Sequence, residues 1–191
     1  MRCPMGDALE LGHMRICVFC GSSPGLVPAH AEAAADLARL LVGKGIGIVY
    51  GGASVGIMGV LADAALEAGG EVIGVIPAHL NDWEVAHGGL TQLHVVDSMH
   101  ERKARMADLA DAFVALPGGA GTMDELFEIW TWSQLGLHNK PVGLLDVAGY
   151  YRRLVEFLDD MVEAGFLRPA GRSALIVASD PQVMLERLGA A

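Results

Sequence analysis

Short apolar runs that end in glycine-rich turns and lead into helical stretches recur along this chain, and that recurrence restricts the fold more tightly than any other feature. Arg15 to Cys20 reads as a strand, followed by the turn Gly21-Ser22-Ser23-Pro24-Gly25 and a helix from about Ala29 to Lys44. Ile46 to Tyr50 is a second strand, after which Gly51-Gly52-Ala53-Ser54 opens a helix ending near Gly69-Gly70. A third strand, Glu71 to Ile76, stops at Pro77, and the polar, aperiodic stretch from Ala78 to Gly89 reads as a functional loop. Leu93 to Val96 is a short strand, with Asp97 or Ser98 capping a helix through about Leu109. Asp111 to Leu116 leads through Pro117-Gly118-Gly119-Ala120-Gly121-Thr122 into a helix that runs to Leu135. Pro141 to Leu145, a helix from Tyr150 to Ala164, a strand Ala174 to Ala178 and a helix capped by Asp180-Pro181 complete the pattern. Strands that lack polar alternation are buried on both faces, and helices between them imply right-handed parallel crossovers. The expected fold is therefore α/β: a single-domain, Rossmann-like doubly wound parallel sheet over 14–191, with 1–13 as a loose leader.

Composition narrows what such a sheet can serve. Against 23 Asp+Glu the chain has only 13 Lys+Arg, a formal net charge of -10. That balance opposes a nucleic-acid polymer, which requires clustered cations, but a small phosphorylated ligand needs only a local positive site. A hydrophobic content of 52% supplies a sizeable core and excludes disorder. The uncharged run from Gly45 to Ala62 is long enough to span a membrane. Its six glycines fit a strand, a turn and a helix start instead, so no membrane partner is expected and the expected location is the cytoplasm. Three cysteines cannot form a disulfide framework and fit a reducing compartment.

In a doubly wound sheet, ligands sit beyond the carboxyl ends of the strands, where helix N-termini offer free N–H groups and a partial positive charge. Three turns here occupy such positions: Cys20-Gly21-Ser22-Ser23, Gly51 to Gly59, and Pro117 to Thr122. Glycines let backbone approach a phosphate closely, or they simply make tight turns; three at one edge favour the ligand. None is followed by Gly-Lys-Ser/Thr and none reads G-x-G-x-x-G, so a mononucleotide phosphate suits them better than a dinucleotide. Glu125 in Pro117-Gly118-Gly119-Ala120-Gly121-Thr122-Met123-Asp124-Glu125 is expected in the first helical turn, where the dipole favours a carboxylate. Thr122-x-x-Glu125 reads equally well as a capping box. Ser98-Met99-His100-Glu101-Arg102-Lys103-Ala104-Arg105 clusters three cations at the N-terminal end of a helix, where the positive pole of the dipole opposes them. Either an anionic partner holds them there or they form a solvated face with Glu101 and Asp108.

The pairing of Met99-His100-Glu101-Arg102-Lys103 with Pro117-Gly118-Gly119-Ala120-Gly121-Thr122-Met123-Asp124-Glu125 strongly resembles the Lonely Guy (LOG) family of cytokinin riboside 5′-monophosphate phosphoribohydrolases. The resemblance extends over about 15–168 and includes Val18 to Ser23, Tyr50-Gly51-Gly52, Gly56 to Gly59, Gly74 to Pro77 and Lys140 to Gly143. It implies hydrolysis of the N-glycosidic bond between an adenine base, N6-substituted or not, and ribose 5′-monophosphate, with no metal and no organic cofactor. It also implies a homodimer. By motif position the catalytic pair falls on Arg102 and Glu125, and substrate contacts on Glu84, Lys103, the Gly119 to Glu125 stretch and Thr131. The glycine turns and linked motifs add Gly21, Ser22, Gly52, Met58, Met99, Gly118, Gly121 and Thr122 to the substrate-binding set. Trp83 and Ala86-His87-Gly88 depart from the family pattern beside Glu84.

The chemistry is consistent with that assignment. Cleaving the bond builds oxocarbenium character on the ribose, which an ionised carboxylate stabilises while it activates water. Glu125 takes that part, and Arg102 holds the phosphoribosyl group, with Gly118, Gly119, Gly121 and Thr122 donating to the phosphate. Two alternatives stay open: a nucleotide-binding module without turnover, and a phosphoribohydrolase for other nucleotides.

Other candidate groups carry less. Cys17-Val18-Phe19-Cys20 has redox spacing but lies in a strand, where the two side chains face opposite ways. No histidine pair or Cys/His cluster has zinc spacing. Lys44, Lys103 and Lys140 are the only lysines, and none has the context of a pyridoxal lysine, so lysine decarboxylation is not expected. Trp130 aligns with Leu126, Ile129 and Leu137 as core, whereas Trp132 points about 200° away, toward an oligomer contact. His100 lies beside the catalytic arginine or is a surface histidine.

Overall fold

The computed structural model describes residues 14–81 and 86–190, so the leader expected over 1–13 and the expected contact Glu84, with Trp83, lie outside the described residues. Seven strands form one wholly parallel sheet: β1 (Arg15–Phe19), β2 (Gly47–Tyr50), β3 (Val72–Pro77), β4 (Gln92–Val96), β5 (Ala112–Ala115), β6 (Val142–Leu145) and β7 (Leu175–Ala178). The helices are α1 (Pro28–Gly43), α2 (Gly56–Glu67), α3 (Ala78–Asn81), α4 (Met99–Leu109), α5 (Ala120–Gln134), α6 (Arg152–Glu163), α7 (Pro169–Ala174) and α8 (Pro181–Arg187). The alternation of β1 shows why the sheet needs helices on both sides. Ile16, Val18 and Cys20 pack into one core, while Cys17 and Phe19 pack into the other. The first core lies under α1, α2 and α8, and the second holds Met106, Leu126, Ile129 and Trp130 of α4 and α5.

Strand order is β4-β3-β2-β1-β5-β6-β7. The chain winds outward from β1 to β4, then returns to lay β5 on the other side of β1. That reversal parts the loops after β1 and β5 and opens a crevice at their carboxyl ends, where sheets of this kind bind ligands. The doubly wound expectation and its seven strands therefore hold.

Local departures have physical causes. The segment expected as a loop after β3 contains the single turn α3. α7 was not expected; Pro169 at its first position is the signal for it. α6 begins at Arg152 rather than Tyr150, because a 3₁₀ turn at Val147–Gly149 intervenes, with Ala148 at φ 53° and Gly149 at φ 73°. β4 is an edge strand, and it leaves Leu93 and Val95 exposed rather than buried on both faces. No helix among the described residues is long and apolar enough to cross a membrane.

Candidate active site

Gly21 ties the three glycine turns together. Its N–H donates to the Pro117 carbonyl at 3.2 Å, and its own carbonyl accepts from Ile57 N at 3.0 Å and Met58 N at 3.3 Å. The start of α2 thus hangs from the end of β1, which in turn leans on the β5–α5 loop. Gly56 is at φ 62°, and a Cβ there would run into the backbone of Ser22, so both conformation and space require glycine.

Between these turns lies a cavity of about 210 Å³. Arg102 and Glu125 both line it, although only 5% and 8% of their surfaces are exposed. The guanidinium is fixed by two backbone carbonyls: Nε donates to Val75 O and Nη2 to Gly51 O, each at 3.1 Å. Gly51 has no side chain to spare here, since a Cβ would occupy the position of Nη2. Ser98 caps α4 by accepting from Glu101 N at 3.2 Å, and the Glu101 carboxylate accepts from Asp97 N at 2.9 Å. The helix start is therefore secured by its own acidic residue, and Arg102 is free to turn inward.

α5 supplies the carboxylate, by a route that corrects two expectations. The helix begins at Ala120 with Gly119 as N-cap, so Glu125 is in the second turn rather than the first, and Thr122-x-x-Glu125 is not a capping box. Glycine at the N-cap adopts the extended conformation without a side-chain bond, which lets the helix start three residues earlier than a Thr cap would allow. Gly121, Thr122 and Glu125 then share one face at helical spacing, and all three line the cavity. The buried Thr122 hydroxyl packs where a Gly118 side chain would be.

The solvated-face reading of α4 fails for both Arg102 and Lys103, which are buried. Lys103 Nζ forms ion pairs with Glu128 at 2.8 Å and Asp124 at 3.0 Å. Burial opposes the charge, but the two carboxylates outweigh it and the ammonium pKa is raised. Cys20 also faces the cavity; burial, then the Glu125 charge, drives its thiol pKa up, so it stays protonated.

Of the expected site residues, the cavity gathers Gly21, Ser22, Met58, Met99, Arg102, Gly119, Gly121, Thr122 and Glu125. Gly118 lines an adjoining cavity of about 270 Å³ together with Ser23, His30 and Tyr150. Gly52 stands behind the site at φ 82°, packed on β3, and its carbonyl accepts from His87 N at 3.0 Å. Lys103 is not among the lining residues, and Thr131 is exposed on α5. His100 is exposed and lines none of it. Sequence reasoning missed Cys20 and Met106 as lining groups; Met106 is four positions from Arg102 and so shares its helical face. Leu137 is 68% exposed, not core, because α5 ends at Gln134. Trp130 is core, as expected, and its Nε1 donates to Gly171 O at 3.1 Å. Lys140 Nζ donates to Ala107 O at 2.8 Å.

Residues 58–188 match a family model described as "Possible lysine decarboxylase". A cytokinin riboside 5′-monophosphate phosphoribohydrolase of Rhodococcoides fascians is 51% identical over 166 residues, covering 86% of this chain and 84% of the relative. An enzyme of the same name from Arabidopsis thaliana is 47% identical over 184 residues, 96% of this chain and 86% of the relative. Among solved structures, a molybdenum cofactor binding protein of Rippkaea orientalis superposes with a TM-score of 0.70 at 22% identity, covering 94% of this chain and 98% of that one. The molybdenum cofactor carrier protein of Chlamydomonas reinhardtii gives 0.70 at 23% identity, with 94% and 100% covered. Those two likenesses establish the fold alone.

Proposed function

The chain belongs to the Lonely Guy family of cytokinin riboside 5′-monophosphate phosphoribohydrolases, and from that premise we infer that it hydrolyses the N-glycosidic bond of adenosine 5′-monophosphates, releasing the free base and ribose 5-phosphate. The observation that carries the reading is the convergence of a buried arginine from α4 and a buried glutamate from α5 on one cavity beside a helix N-terminus. A carrier would have no use for a carboxylate next to its anionic ligand, whereas a glycosidase needs one.

In this reading the phosphate lies at the start of α5, where Gly119, Gly121 and Thr122 offer donors and the helix dipole favours an anion. Arg102, pinned by two carbonyls, adds a fixed charge that holds the phosphoribosyl group without reorganising. As the bond from C1′ to the base nitrogen breaks, its electron pair leaves with the base, which takes up a proton. Glu125 stabilises the cationic ribose and draws a proton from the water that adds to C1′. Met58, Met99 and Met106 line the same cavity and suit an apolar base of variable substitution. Lysine decarboxylation is set aside, because Lys103 is held by two carboxylates and Lys140 by a backbone carbonyl. The protein acts in the cytoplasm as a homodimer, on a small nucleotide rather than on a nucleic-acid polymer or membrane.

The test is to follow free base and ribose 5-phosphate by chromatography from adenosine monophosphate and N6-isopentenyladenosine monophosphate. Glu125→Gln lowers turnover about 10²-fold or more, the usual worth of a positioned base. A variant keeping more than about a tenth of wild-type turnover overturns the role of Glu125. Nucleotide binding without any base release from the wild type would make the protein a binding module.

A further inference from the structure

The β5–α5 loop is held from behind by two adjacent tyrosines. Tyr151 Oη donates to Leu116 O at 2.6 Å, and Tyr150 Oη donates to Gly118 O at 2.6 Å. Between them the Pro117 carbonyl accepts from Gly21 N at 3.2 Å, and the next carbonyl, of Gly119, accepts from Met123 N at 3.2 Å. Four consecutive carbonyls are thus engaged by donors of the protein itself. The tyrosine rings are themselves braced: Tyr150 stands edge-on to Tyr151 at 4.8 Å and to the buried His30 at 5.3 Å.

The Gly118–Gly119 peptide is the weak point of this loop. With glycine on both sides, its plane can rotate at little steric cost, because neither residue has a Cβ to exclude the left-handed region. A trans peptide points N–H opposite to C=O, so anchoring Gly118 O on Tyr150 turns Gly119 N–H away from that tyrosine. Rotation would exchange the two, replacing a donor by a carbonyl that repels an anion.

We propose that Tyr150, backed by Tyr151 and His30, is a positioning residue that locks the Gly118–Gly119 peptide in its donor-forward orientation and thereby sets affinity for the phosphate of the ligand. The proposal rests on the nucleotide reading above, and it is tested by a measurement that needs no turnover. Tyr150 is half exposed and its ring stays in the Phe variant, so Tyr150→Phe removes one hydroxyl from a folded protein.

Calorimetry with ribose 5-phosphate and with adenosine, on the full chain and on Tyr150→Phe, separates the effects. Affinity for ribose 5-phosphate falls roughly fivefold, the equivalent of one net hydrogen bond, and adenosine affinity is unchanged. In the hydrolysis assay KM for the monophosphate rises by a similar factor while kcat stays within about twofold. Unaltered ribose 5-phosphate affinity, equal weakening of adenosine, or no ribose 5-phosphate binding by the wild type overturns the proposal. Failure of the wild type to release base would overturn the hydrolase alone and leave the calorimetric comparison intact.

Discussion

Burial displaces the pKa of the His94 imidazole. Its Nε2 is enclosed without a hydrogen-bond partner among the described residues, and desolvation, helped by the charge of Arg105, lowers its pKa from 6.5. The folded chain therefore binds this proton less readily than the unfolded chain does. The stability that His94 contributes is fully present above pH 6.5 and declines as pH falls from there toward the lowered folded pKa, since unfolding then takes up a proton. Thermal denaturation at pH 7.5 and 5.5 measures the decline, and His94→Leu narrows the interval between the two Tm values; an interval unchanged by the substitution would refute the assignment. The same scale explains a second residue. Gly51 could be read from sequence only as a turn glycine, yet the structure gives it a particular task, that of leaving room for the Arg102 guanidinium on its own carbonyl. Gly51→Ala displaces that guanidinium and lowers kcat/KM about 10²-fold, a typical cost of misplacing a catalytic group, with free-base release as the measurement.

Elements were legible where one local signal decided them. The strands β1, β2, β3, β5 and β6 follow from apolar runs with no polar alternation, because burial on both faces leaves no other composition open. The start of α4 was legible because Ser98 carries its cap in its side chain. Ser98→Ala removes that bond and costs about 1 kcal/mol of unfolding free energy, read from urea denaturation as a lower midpoint at unchanged slope. The start of α5 was not legible, because its cap is a glycine with no side chain to announce it, while Thr122 and Glu125 mimic a capping box one turn too late. That error moved Glu125 from the first turn to the second but left it on the cavity, since the spacing of Gly121, Thr122 and Glu125 survives the shift. Lys103 fared differently. Its motif position marked it as a nucleotide contact, and only the fold reveals the two carboxylates of α5 that neutralise it.

At the scale of the whole molecule, the reversal between β1 and β5 determines which of the many turns become a site, and no single segment encodes it. Sequence patterning supplied alternating strands and helices, hence the doubly wound class, but the order of strands depends on crossovers that bring residues about a hundred positions apart into register. The homodimer proposed above calls for an apolar surface that the fold leaves uncovered. Beyond α5, Leu135 and Leu137 are 69% and 68% exposed, beside a cavity of about 340 Å³ that Trp132, Phe113 and Leu137 line. Phe157 on α6 and Phe166 after it are also exposed. An exposed apolar side chain at the rim of a groove, as Leu137 is, is costly to leave in water and suits the core of a subunit contact. If the proposed homodimer is built through this region, light scattering at micromolar concentration gives about twice the 20.1 kDa chain mass. Leu135→Glu combined with Leu137→Glu, which leaves the catalytic cavity untouched, shifts the mass toward one chain by placing carboxylates in the contact. A wild-type mass of a single chain at that concentration, or a double variant as dimeric as the wild type, would remove this surface as the interface.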